Sequence, residues 1–197
     1  MNRFKEYISK IIDIDENEWN EAKKILRKML FNKGDIISRK GDIFKYIFFI
    51  NSGIIRSYFI DSNGRDFTWQ IYYSGDKAVM KNLFVVDYAS FTKQEPSKLF
   101  FEVIESAELI AIEYNSLEKL YNSSIKWQKL GKIMADTAYY YAHHSALSLL
   151  TETAKERYMK LMKENPELLQ KVPQYYIASY LGITPQSLSR IRKELDK

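Results

Sequence analysis

The chain has 197 residues, 46% of them hydrophobic and 15% aromatic, which excludes disorder over most of its length. It has no cysteine, which excludes disulfides, thiolate metal ligands, a thiol nucleophile and cysteine-held iron–sulfur clusters. Basic residues number 30 against 25 acidic ones, a formal net charge of +5 that suits a nucleic-acid partner but is a weak signal alone.

The N-terminus, "MNRFKEYISKIIDIDENEW", is too charged for a signal peptide, and no stretch approaches the roughly 18 apolar residues of a membrane-spanning helix. The expected setting is cytoplasmic, with no membrane partner. Residues 1–30 read as helical: Trp19, Ala22, Ile25, Leu26 and Met29 recur at helical spacing. Asp15, followed three residues later by Glu18, has the pattern of a capping box.

From Phe31 to Ile112 the period changes. "DIISRKGDIFKYIFFINSGIIRSYFIDSNGRDFTWQIYYSGD" is a run of short β-rich segments broken by "KGD", "NSG", "SNG" and "SGD" turns. Glycines at 34, 41, 53, 64 and 75 punctuate it, the later ones eleven or twelve residues apart, as in a compact all-β unit. "SNGR" at Ser62–Arg65 reads as a hairpin turn, and "LFFEVIESAELIAIEY" supplies the last strands.

Past Leu117 the pattern is helical nearly without Pro or Gly until Pro166. It predicts a short helix near 116–122, a long one from about Ser124 to Leu150, and another from Thr151 or Thr153 to Asn165–Pro166. On the long helix Trp127, Leu130, Met134, Thr137, Tyr141, His144 and Ser148 form one stripe, and Ile133, Tyr140 and Leu147 a neighbouring one. Two stripes call for two partners: the chain's own β domain and a second copy of the chain. The plainer alternative is that both face one monomer's core.

The final stretch, "VPQYYIASYLGITPQSLSRIRKELDK", divides into two helices. The first is expected over Gln174–Leu181, with Pro173 at its start, Ile177, Ala178 and Leu181 as its apolar positions and Gly182 ending it. Thr184 is placed to cap the second, Pro185 opens it, and Leu188, Ile191 and Leu195 form its inner face. Small Ala178, the Gly182 stop and the immediate Thr-Pro restart fit a helix–turn–helix whose second member enters a major groove. The outer face carries Gln186, Ser187, Ser189, Arg190, Arg192, Lys193 and Lys197. Gln186 suits adenine and Arg190 guanine, each as a bidentate pair. Thr184, Ser187 and Ser189 suit phosphates, Arg192 and Lys193 add charge, and Lys171, Tyr175 and Tyr176 flank the first helix within phosphate reach. The competing reading is a merely solvated helix face.

"KGDIISRKGD", "YIFFINSGIIRSYF", "YYSGD" and the ending "ERYMKLMKENPELLQKVPQYYIASYLGITPQSLSRIRKEL" together resemble the CRP/FNR family of bacterial transcription regulators. The ending is similar to a small branch common in Bacteroidetes. The resemblance implies an α+β chain. A cyclic-nucleotide-binding-like β jelly roll with an N-terminal helix would span 1–122, and a long dimerisation helix 123–150. A helix–turn–helix domain with a reduced or absent wing would span 151–197. Cyclic-AMP-binding members carry Gly-Glu for ribose and Arg-Ser for phosphate. Here Met80-Lys81 and Ser97-Lys98 stand near those places, so the ribose carboxylate is missing and cyclic-AMP binding is not expected. Phe84, Tyr88, Phe91, Ser97, Lys98 and Phe100 either fill the core or line a site for an apolar or aromatic effector.

His143 and His144 are adjacent on a helix and do not form a ligand pair; one is expected at the helix interface and the other toward the β domain or solvent. Pro185-Gln186 replaces the Arg-Glu that opens the recognition helix in well-known members, while Arg190 keeps the later Arg, so the target sequence should differ. There is no HExxH, nucleophile elbow, P-loop or GxGxxG, and no catalytic residue, metal or cofactor is expected. The expected partners are double-stranded DNA with a near-palindromic promoter site, a second copy of the chain, an unidentified small-molecule effector and RNA polymerase. The alternative is a protein-interaction or small-molecule-sensing module that does not bind DNA.

Overall fold

The computed structural model describes residues 1–195. Two short helices, α1 (Asn2–Ser9) and α2 (Glu16–Lys23), precede the sheet. Asp15 caps α2: its carboxylate accepts from the Glu18 amide at 2.8 Å, and the Glu18 carboxylate accepts from the Asp15 amide at 2.9 Å. The helical reading of residues 24–30 is corrected. Leu26–Phe31 is strand β1, paired antiparallel with the last strand in the register Leu26↔Ile112 to Phe31↔Ala107. Ile25, Leu26 and Met29 suit a helix stripe locally, but the ladder offered by a distant strand outcompetes that local preference.

The sheet continues with β2 (Ile36–Ser38), β3 (Tyr46–Ile60), β4 (Asp66–Tyr73), β5 (Phe84–Val85) and β6 (Phe100–Glu113). Its order is β1-β6-β3-β4, with β2 also on β6 and β5 on β3. The long strands β3 and β6 pair with each other and slip register between Ile50 and Ile55, which bends them into a roll. Gly53 sits at that slip with φ +94°, and a Cβ there would lie 2.6 Å from the Ala107 Cα. Only glycine meets both demands. The turn at Ser62–Arg65 joins β3 to β4 as read. Two short helices, α3 (Met80–Leu83) and α4 (Tyr88–Lys93), interrupt the roll before β6.

The β strands near the turn are apolar on both faces. Ile55, Tyr72 and Val103 point into the roll's own core with Phe44, Phe48, Phe49 and Phe101. Their neighbours Ile54, Ile71, Tyr73 and Ile104 point the other way and belong to a second core. Alternate side chains of a strand lie on opposite faces, so a doubly apolar strand needs cover on both. The cover for the outer face is the C-terminal domain.

That domain follows α5 (Tyr114–Ser123) and the long α6 (Ile125–Thr151). It consists of α7 (Ala154–Glu164), α8 (Pro166–Lys171), α9 (Gln174–Tyr180) and α10 (Pro185–Leu195). Thr153 caps α7 in a capping box with Glu156. Helix α8, opened by Pro166, adds a turn beyond the expected elements. The second core joins Ile54, Ile71, Tyr73 and Ile104 to Tyr158, Leu161, Leu168, Ile177, Ala178, Leu181 and Leu188. No helix of the described residues is long and apolar enough to cross a membrane.

Helix α6 sorts its two stripes. Trp127 and Leu130 are buried in the chain's own core and Met134 packs against it, so these three do not form a free pairing face. Thr137 is half-buried and donates its hydroxyl to the Ile133 carbonyl. Tyr141 is half-buried, with the Lys81 ammonium 5.8 Å from its ring centroid. The second half of the helix carries a bare surface: Tyr139 is 73% exposed and Leu150 84%, and Tyr140, Leu147 and Leu149 are exposed as well. Both histidines are exposed in the single chain. His144 lies on the Tyr140 ring at 4.0 Å and its Nδ1 is 3.0 Å from the Tyr140 carbonyl.

Candidate nucleic-acid interface

The turn between α9 and α10 is built by backbone chemistry. Gly182 takes φ +69°. The Gly182 amide donates to the Ser179 carbonyl and the Ile183 amide to the Ala178 carbonyl, both at 3.0 Å. These are the two bonds of a Schellman ending, which close the free carbonyls of α9. Ala178 is fully buried, so α9 meets its neighbours without a bulky side chain between. The Ser187 amide then donates to the Thr184 hydroxyl at 3.2 Å, which starts α10. Leu188 is buried, and Ile191 and Leu195 pack beside it, so the inner face of α10 is fixed.

Fixing that face presents the other. Gln186, Ser189, Arg190, Arg192 and Lys193 are exposed along α10, with Ser187 and Ile183 half-buried. Gln186 and Arg190 lie one turn apart on the same side. Thr184 is exposed as well, and its hydroxyl lies 3.0 Å from that of Ser187. None of Arg190, Arg192 and Lys193 makes an ion pair among the described residues, so their charge is open to an outside partner. Glu194 is turned aside onto Lys155 of α7 at 3.0 Å. Lys197 lies outside the described residues. Tyr175 is exposed at the start of α9, while Tyr176 faces the β-roll.

A cluster that sequence reasoning missed lies under α9. Arg56 of β3 is 3% exposed. Its Nη2 is 3.0 Å from Asp66 Oδ2 and 2.8 Å from Glu102 Oε2, and its carbon Cζ stands 4.0 Å from the Tyr58 ring centroid and 3.6 Å from that of Tyr176. Burial works against its charge, but the hydrogen bonds to Asp66 and Glu102 outweigh it and hold the pKa above the ordinary guanidinium value. The signal was present in "GIIRSYF": an arginine at a strand position whose face-mates, Ile54 and Tyr58, belong to a covered face.

The residues read as an effector pocket do not form one wall. Phe84 and Phe91 are buried in the β-roll core. Ser97 is buried and donates its hydroxyl to the Asp87 carboxylate at 2.7 Å. Lys98 is exposed, and Phe100 stacks on Tyr58 at 5.1 Å. Phe84 and Tyr88 border a groove of about 850 Å³ that runs between the roll, α6 and the C-terminal domain, with Trp69, Gln70 and Tyr141 on its walls. Among the described residues no group of three or more His, Asp or Glu is placed to hold a metal ion.

Residues 28–124 match the cyclic nucleotide-binding domain family, the span from within β1 to the residue before α6. A transcriptional regulator from Eubacterium rectale assigned to the CRP/FNR family superposes with a TM-score of 0.66 at 15% identity, over 93% of this chain and 84% of that one. The chain shares the fold of that regulator. FixK2 from Bradyrhizobium japonicum is similar over 87% of this chain and 85% of its own, with a TM-score of 0.71 and 19% identity. The electron transport regulator A of Shewanella oneidensis is 23% identical over 93% of this chain and 75% of its own length. The CRP/FNR fold thus extends past the matched domain through α6 to the helix–turn–helix.

Proposed function

We propose that this CRP/FNR-fold chain is a sequence-specific DNA-binding transcription regulator acting as a homodimer. The observation that carries the reading is the α9–α10 pair: a capped tight turn, a buried inner face, and an outer face of Gln186, Ser189, Arg190, Arg192 and Lys193 left exposed, its cations making no ion pair among the described residues. Gln186 and Arg190 read base edges in a major groove. Thr184, Ser187, Ser189 and Tyr175 position the helix on phosphates with Arg192 and Lys193. The relatives' description as regulators supports the same reading.

The exposed stripe on the second half of α6 takes a second copy. Pairing two copies about a two-fold axis sets their α10 helices about one DNA turn apart, so the target is a near-palindromic promoter site. RNA polymerase is met there, and the placement of the site decides activation or repression. Met80-Lys81 at the start of α3 stands where cyclic-AMP-binding members carry the Gly-Glu that holds ribose, so a small-molecule effector of this chain is expected to be something other than cyclic AMP. No catalytic constellation belongs to the reading.

Selection of genomic fragments by the purified protein at several salt concentrations, paired with a mass measurement, tests it. Enrichment of one inverted repeat by a dimer is expected, with affinity falling steeply as salt rises. Binding without sequence preference at every salt concentration overturns it.

A further inference from the structure

The joint between α6 and α7 is two residues long, Glu152 and Thr153. One side chain spans it. Arg157 of α7 donates through Nη1 to the Glu152 carbonyl and, at 3.4 Å, to the Ser148 carbonyl in the last turn of α6. Its Nη2 donates to the Leu181 carbonyl at 2.8 Å. Leu181 closes α9, and its carbonyl belongs to neither Schellman bond at the Gly182 turn. One guanidinium therefore ties the end of α6 to the turn of the helix–turn–helix, 24 positions of sequence away. Its buried Nε has no partner among the described residues, a cost that these bonds outweigh.

The charge suits the place. The carbonyl ends of two helices carry partial negative charge, and the arginine lies between them. Its planar fork fixes direction as well as distance, which a lysine ammonium does not. Neighbouring groups brace the same joint. The Glu152 carboxylate accepts from the Ser148 hydroxyl at 2.9 Å and pairs with Lys160. Thr153 caps α7, and Lys155 of α7 reaches Glu194 of α10 at 3.0 Å. None of these bonds uses Gln186 or Arg190, the side chains suited to base edges.

We infer that Arg157 is a positioning residue that sets the spacing between the two half-sites of the DNA target, by locking the helix–turn–helix at one angle to α6. This role rests on the homodimeric DNA-binding reading. Two copies paired along α6 place their α10 helices through this joint. One added base pair moves a half-site by about 3.4 Å and turns it by about 35°. A joint that holds its angle rejects that change, and a joint that swings accepts it.

The test uses the full chain and the inverted repeat recovered by selection, rebuilt with its central spacer lengthened or shortened by one and two base pairs. Wild type should lose about tenfold in affinity for a change of one base pair. Arg157→Lys keeps the charge but not the fork. Its spacer preference should flatten to about threefold or less, while preference for the bases within each half-site stays as in wild type. Arg157→Ala should flatten the profile in the same way, with urea unfolding reporting any loss of stability separately. An unchanged spacer profile in Arg157→Lys, with affinity lowered equally at every spacing or not at all, overturns the positioning role and leaves Arg157 a purely structural bond. Wild-type indifference to spacing overturns it too. If wild type shows no sequence preference in the selection, the DNA-binding reading itself fails, and the spacing role falls with it.

Discussion

Arg56 and Tyr176 stand in cation–π contact at 3.6 Å although 120 positions of sequence separate them. One belongs to the middle of the β-roll, the other to the helix–turn–helix. The guanidinium also joins Asp66 and Glu102, which are mostly buried beside it. Replacing Arg56 with Ala leaves two carboxylates in poor solvent with no partner. The expected loss is about 3–5 kcal/mol of folding stability. Urea unfolding checks it, and restoring part of the loss by adding Glu102→Gln identifies the unpaired charge as the cause.

Arg190→Ala removes the exposed guanidinium suited to guanine. It should weaken binding of the selected site by about 1–3 kcal/mol, roughly five- to 150-fold, and relax preference at one base position. Lys193→Ala should weaken all sequences alike and lower the salt slope by about one. Competition with single-base-substituted duplexes separates the two outcomes.

The buried start and the exposed end of α6 predict opposite phenotypes. Leu150 is 84% exposed and Trp127 is buried in the chain's own core. Leu150→Glu should leave the fold and thermal midpoint of the protomer intact while sedimentation shifts from dimer to monomer. Trp127→Ala should instead cost about 3–5 kcal/mol of stability, because it opens a cavity in the core. Sedimentation velocity and urea unfolding on both variants check the assignment.

Alkaline pH should unfold the protein in a defined window. Burial, aided by neighbouring Tyr141, Tyr88 and Glu164 respectively, pushes the Tyr7, Tyr121 and Tyr180 phenols up to about 12. An unfolded phenol ionises near 10. Between those values the unfolded chain releases protons that the folded chain retains, so the stability contribution is intact below pH of about 10 and is lost as pH rises to about 12. Tyrosinate absorbance and far-ultraviolet circular dichroism should change together across that window. Tyr7→Phe should reduce the loss, since it removes one of the three phenols.

The sequence by itself determined the elements whose signals are local. The Asp15–Glu18 capping box, the Ser62–Arg65 turn, the ends of α6 and the Gly182–Thr184–Pro185 turn all lie within a few residues of the groups they satisfy, so neighbouring chemistry suffices to read them. The exposed face of α10 followed from the same turn and the Leu188 spacing. Tertiary structure decided what depends on remote partners. Leu26–Phe31 became a strand because β6 offered it a ladder, although its apolar spacing also suited a helix. Trp127 and Leu130 went to the chain's own core, and Leu147 and Leu150 were left bare, because a stripe's spacing does not name its partner. Arg56 met Tyr176 because alternating apolar side chains made the outer face of β3 and β4 too hydrophobic to leave in water, and α9 was the element that covered it.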